Sequence, residues 1–210
     1  MLKIHIKEKR YGNQVVLENV KFHIATPGIY GVMGKNGQGK TTMFKCMIGL
    51  EKYTGSSTLN DNVISTQGVG WCGAEPAVYN ELTAEEFYKF YQHLIQQKME
   101  GQQLLFDLPS DKLIKEFSTG MKKKVYLNAI FQKEYPMYIL DEPFNGLDIE
   151  SNYYLMKYLL HLSERSIIFI SSHIVDVLYK HCKSIYVIKE KGITLYPQEE
   201  FDKIEGTFFN

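Results

Sequence analysis

Apolar and polar residues alternate at the start of the chain: Leu2, Ile4 and Ile6, then Val20, Phe22 and Ile24. A period of two predicts strands that bury one face each, and two such strands in succession predict an antiparallel sheet. The pattern then changes. Residues 28–34, GIYGVMG, read as a short buried strand, and residues 40–50, KTTMFKCMIGL, place Met43, Met47 and Leu50 on one helical face. A further short strand, VGWC, follows Gly68. Thr83 and Glu86 then stand as a capping box before a helix whose Phe87, Phe90, Tyr91, Leu94 and Ile95 form one aromatic-rich stripe. That stripe is read as core, with a partner-docking face as the other reading. Residues 101–110 read as a loop, and a second helical stretch follows Ser118.

Further along, MYIL (137–140) predicts a buried strand after Pro136 that ends in Asp141 and Glu142. Asp148 is set to cap a helix with Leu155, Tyr158, Leu159 and Leu162 inward. SIIFI from Ser166 gives another buried strand, a helix is expected from about Ile174 to Cys182, and SIYVIKEKGITLY reads as a hairpin turning near Gly192. Strands alternating with helices imply a mostly parallel sheet. The lysine run 122–124 is read as a solvated helix face. There is no internal repeat.

Composition narrows the class without deciding it. A chain of 210 residues accommodates one α/β domain with a satellite, and 24 basic residues balance 24 acidic ones. No global basic field draws it to nucleic acid. Cys46, Cys72 and Cys182 are an odd, widely spaced trio, which argues against a disulfide framework or a zinc site and fits a reducing compartment. The first residues lack the apolar core of a signal peptide, and no apolar run approaches the ~20 residues needed to cross a bilayer.

The chemistry is carried by GKNGQGKT, Gly34–Thr41, between the expected strand and helix. Gly34, Gly37 and Gly39 let the backbone curl so that successive N–H groups converge on phosphates. Lys40 adds a point charge for the β- and γ-phosphates, the Thr41 hydroxyl is placed to hold Mg²⁺, and the helix start after Lys40 offers unpaired N–H groups. Lys35, Asn36, Gln38 and Thr42 complete the candidate nucleotide-binding set. At the carboxyl end of the 137–140 strand, Asp141 is a candidate Mg²⁺ ligand and Glu142 a candidate general base for water attacking the γ-phosphate.

With these residues in hand, the chain resembles the ATP-binding cassette family, the nucleotide-binding subunits of ABC transporters, over nearly its whole length. FSTGM (Phe117–Met121) looks like the signature sequence, NGLD ending at Asp148 like the D-loop, and SSH ending at His173 like the switch histidine. Tyr11 stands where the family stacks an aromatic ring on adenine, although it also reads as an ordinary strand-end aromatic. The resemblance implies a P-loop NTPase α/β core of residues 1–73 and 132–210, with an N-terminal antiparallel β subdomain and a small helical subdomain, 74–131. It implies an ATPase that uses ATP and Mg²⁺ and pairs with a second copy of itself or a related subunit. Ser118, Thr119, Gly120 and Met121 then serve the partner's nucleotide in trans, Lys40, Glu142 and His173 act in catalysis, and a separate transmembrane permease holds the pair at the inner face of the membrane. One departure stands out: Ala74 occupies the position of a glutamine that in the family reaches Mg²⁺ and water, and the adjacent Glu75 points the opposite way in an extended segment. A second reading follows, an ATP-dependent switch with little hydrolysis. A soluble, non-transport ABC ATPase is a third.

Overall fold

The computed structural model describes residues 1–96 and 104–209. Part of the expected 101–110 loop, residues 101–103, lies outside the described residues; Leu104–Ser110 carries no helix or strand. The chain runs β1 (Leu2–Tyr11), β2 (Gln14–Ile24), β3 (Gly28–Met33), α1 (Lys40–Met47), β4 (Thr54–Leu59), β5 (Asn62–Val63), β6 (Val69–Cys72) and α2 (Ala84–Leu94). There follow α3 (Thr119–Ile130), β7 (Met137–Asp141), α4 (Ile149–Leu162), β8 (Ile167–Ser171), α5 (Val175–His181), β9 (Ser184–Lys189), β10 (Gly192–Pro197) and α6 (Ile204–Phe209).

These strands build two sheets. The smaller has the order β2-β1-β4-β5 and is antiparallel throughout; the larger has the order β10-β9-β3-β8-β7-β6. In the larger sheet every pairing is parallel except β9 with β10 at its edge. The central strands are buried on both faces, so they read as continuous apolar runs. Their side chains alternate between two cores. Met137, Ile139, Ile167, Phe169, Tyr186 and Ile188 face the small sheet and α1. Tyr138, Leu140, Ile168, Ile170, Ile185 and Val187 face the helices α3, α4 and α5. A third cluster, including Phe87, Tyr88, Ile114, Phe117 and Val125, packs α2 against α3.

Two local expectations are corrected, and a third, the hairpin turning near Gly192, is met. Helix α1 stops at Met47 because Gly49 takes a left-handed φ of 78°, so Leu50 leaves the helical face and is half exposed. The Thr83–Glu86 capping box forms, yet the buried face of α2 is Ala84, Phe87 and Tyr88 with Tyr91 packed alongside; Phe90 and Leu94 are turned to the flank and exposed. The β9–β10 hairpin turns on Glu190 and Lys191, both with positive φ, and Gly192 already belongs to β10. No helix among the described residues is long and apolar enough to cross a membrane.

Candidate functional site

The loop from Gly34 to Gly39 leaves the carboxyl end of β3 and enters α1. Gly39 has a φ of 99°, a left-handed backbone that favours glycine, and a Cβ there would sit tightly, 3.1 Å from Val16 and 3.2 Å from Leu17. Gly39 also precedes α1 without any side-chain cap, and no acidic residue occupies the first turn. The helix therefore presents free N–H groups and positive charge to the loop. Lys40 is nearly buried, and its ammonium donates to the Gly34 carbonyl at 2.7 Å. The Gln38 carboxamide oxygen closes the loop by accepting from the Lys35 N–H at 3.0 Å.

Asp141 and Ser171 are register partners at the ends of β7 and β8. The Ser171 hydroxyl donates to Asp141 Oδ1 at 2.5 Å and accepts from the Glu142 N–H at 2.9 Å, while the Thr41 hydroxyl donates to Asp141 Oδ2 at 2.5 Å. One serine thus fixes both acidic residues. The oxygen atoms of Thr41 and Asp141 form a hard donor pair beside the phosphate loop, a set that suits Mg²⁺ completed by water and phosphate oxygens.

Glu142 has a φ of 50°, a left-handed backbone for a non-glycine residue, which costs on the order of 1–3 kcal/mol and persists only where surroundings enforce it. Its side chain is buried at 7% exposure, receives the His173 N–H on Oε2 at 3.2 Å, and lies 3.1 Å from His173 Nε2 through Oε1. Burial raises the carboxyl above its ordinary range, opposed by the charge and backbone N–H of His173 and by the Lys40 charge. Glu142 and His173 therefore meet as a close polar pair beside the phosphate loop.

Tyr11, at the end of β1, is half exposed, and the Lys9 ammonium sits 4.3 Å from its ring centroid. Lys9 is itself buried, held by Glu51 at 2.8 Å and the Lys52 carbonyl at 2.9 Å. A cleft of about 560 Å³ gathers Tyr11, the phosphate loop, Asp141, Glu142 and His173, with Ala74 and Asn145 also on its wall. Ala74 has no side-chain polar group to offer there.

Residues 118–121 are not in this wall. Ser118 caps α3 by accepting from the Met121 N–H at 3.2 Å. Asp148 caps α4 by accepting from the Ser151 N–H at 2.8 Å and pairs with Lys124 at 2.8 Å; those bonds, Lys124 first, hold its carboxyl well below the usual range. The reading of residues 122–124 as a solvated face is corrected: Lys123 is buried at 1% exposure, because α3 leans against the loops after β6 and β7.

A family model described as ABC transporter matches residues 17–145. The chain belongs to the ABC transporter family. Among relatives of this ABC protein, the lantibiotic transport ATP-binding protein SrtF of Streptococcus pyogenes is 31% identical over 98% of this chain and 93% of its own length. The ABC-type transporter ATP-binding protein EcsA of Bacillus subtilis (strain 168) is 31% identical over 85% and 79%. The solved structure of an ATP-binding subunit of an ABC transporter superposes with a TM-score of 0.86 at 25% identity, covering 99% of this chain and 93% of that one.

The sequence reading assigns Ser171, within SSH, and Lys9 no role of their own, and it places Lys123 on a solvated face. Ser171 had a signal: it is the polar residue closing an otherwise apolar strand, level with Asp141. Lys9 and Lys123 had none, since burial of a lysine depends on contacts distant in sequence.

Proposed function

We propose that this ABC protein is the ATP-binding and ATP-hydrolysing subunit of a transporter, pairing around two Mg·ATP to drive a separate permease at the inner face of the membrane. In this reading Gly34–Thr42 cradle the phosphates, Tyr11 packs on adenine, and Thr41 and Asp141 hold Mg²⁺. When bound, that ion neutralises charge developing between the β- and γ-phosphates. Glu142 takes the proton of the attacking water, and His173 orients the Glu142 carboxylate and contacts the γ-phosphate. Lys40 exchanges its Gly34 contact for phosphate oxygens. The observation that carries the proposal is the convergence of a buried, raised Glu142 carboxyl and His173 on the cleft that also holds Lys40 and the Thr41–Asp141 pair.

Ser118–Met121 stand apart from this chain's own cleft, and the N-terminus of α3 suits an anion supplied from elsewhere. We assign them to the nucleotide of a partner, a second copy or a related subunit, across a two-fold interface with Asp148 beside it. The helical subdomain, residues 74–131, carries this signature. Steady-state assay of the purified chain tests the whole: Mg²⁺-dependent release of phosphate from ATP is expected, slowed by about 10²- to 10⁴-fold in Glu142→Gln.

One observation favours a second reading. Ala74 brings no polar side chain to the cleft wall, where the family uses glutamine. A chain that binds ATP and pairs but turns over negligibly would act as a switch. Single-turnover hydrolysis compared between the natural chain and Ala74→Gln separates the two: comparable rates support the enzyme, whereas turnover seen only with glutamine supports the switch. For the non-transport alternative, recovery from cells with ribosomes or DNA and never with a membrane protein would overturn the transport assignment.

A further inference from the structure

Three consecutive lysines of α3 hold three different parts of the molecule. Lys122 donates to the Asn80 side chain at 2.9 Å, and Lys124 pairs with Asp148. Lys123, between them, points inward, and its ammonium donates to the Ala74 carbonyl at 2.9 Å and the Glu142 carbonyl at 2.8 Å. Burying an ammonium is unfavourable unless its N–H groups are satisfied, and a leucine or methionine would fill this volume without that penalty. Desolvation pushes the Lys123 pKa down, while the nearby Asp141 and Glu142 charges pull it up.

What the buried charge accomplishes is a fixed position for two backbone segments. Glu142 is pinned on both sides of its left-handed residue, at its N–H by Ser171 and at its carbonyl by Lys123. The loop that carries Ala74 lacks the side chain that would reach the reaction centre, yet the same ammonium holds it through its backbone. We propose that Lys123 is a positioning residue for hydrolysis, clamping the Glu142 and Ala74 carbonyls to α3 so that the general base and the Ala74 loop move together with the signature helix. This rests on the hydrolytic reading given above.

Lys123→Met keeps an unbranched apolar stem, one atom shorter, and removes the donors. Its kcat for ATP is expected to fall about 10- to 100-fold, because small displacements of a general base are costly, with KM within about twofold of the natural chain. Lys123→Arg restores donors and recovers part of kcat. Amide hydrogen exchange measured on the same proteins without nucleotide is expected to quicken in residues 73–76 and 141–146 of Lys123→Met. A kcat within twofold of the natural chain, a loss carried by KM alone, or unchanged exchange in both segments would overturn the clamp. If the natural chain releases no phosphate, the hydrolytic reading fails, and exchange in the two segments still decides whether the clamp exists. Should methionine prevent folding, Lys123→Gln, whose shorter amide cannot span both carbonyls, takes its place in the same measurements with the same outcomes.

Discussion

Glu142 is the residue on which structure and chemistry pull in opposite directions. Its folded pKa is raised by burial above the ordinary 4.5, so the folded state favours the protonated carboxyl. The sign follows from linkage: the stability this group contributes is present below the unfolded value and is lost as pH rises through the raised folded value. At neutral pH an ionised Glu142 therefore costs stability. Glu142→Gln is expected to raise the melting temperature of the nucleotide-free protein at pH 7, with the gain shrinking toward pH 4, as thermal denaturation across that range would show. The same substitution should slow hydrolysis by ~10²- to 10⁴-fold. In the natural chain the acid limb of the kcat/KM profile, which reports the free enzyme, should lie above the usual carboxylate range and disappear in Glu142→Gln. Lys40 has a simpler role. Losing its charge-assisted bonds in Lys40→Ala should weaken ATP binding about 10- to 100-fold, read by titration with a fluorescent nucleotide.

At the scale of elements, the start of α3 depends on a backbone contact. A Cβ on Gly120 would lie 2.1 Å from the Gly146 carbonyl oxygen, and Gly146 itself has a φ of 80° in the loop before Asp148. Gly120→Ala gains about 1 kcal/mol of helix propensity, yet the clash is with backbone and not with a side chain that can turn away. The overpacking term, typically about 1–3 kcal/mol, is expected to win. Urea denaturation should show net destabilisation, and unchanged or higher stability would mean that α3 and the Gly146 loop separate freely.

Elements with strong local signals were legible in advance: the alternation of β1 and β2, the apolar runs of β3, β7 and β8, the Thr83 box and the Asp148 cap. Strands β4 and β5 were not, because TGSSTL carries neither a clear period of two nor apolar weight, and pairing with β1 decides its state. The phosphate loop was legible from its spacing and Asp141 and Glu142 from the apolar strand they end, whereas His173 was singled out only by the family resemblance; the structure brings them together on one cleft wall. Lys9 and Lys123 were not legible, since each is buried by contacts more than 18 residues distant in sequence, such as Glu51 for Lys9 and Glu142 for Lys123.

For the whole molecule, the cleft and the N-terminus of α3 stand apart within one copy, and the proposed function makes them two halves of one site. The account predicts that ATP itself holds two copies together and that the assembly loosens when hydrolysis removes the γ-phosphate contacts. The direct measurement is the solution mass of Glu142→Gln, a 24.4 kDa chain, by light scattering with and without Mg·ATP, alone and combined with Ser118→Arg. The predicted result is a dimer with Mg·ATP that reverts to monomer on adding Ser118→Arg, while nucleotide affinity of the monomer is unchanged. A protein that stays monomeric with Mg·ATP, or a Ser118→Arg change that weakens nucleotide binding within the isolated monomer, would contradict it.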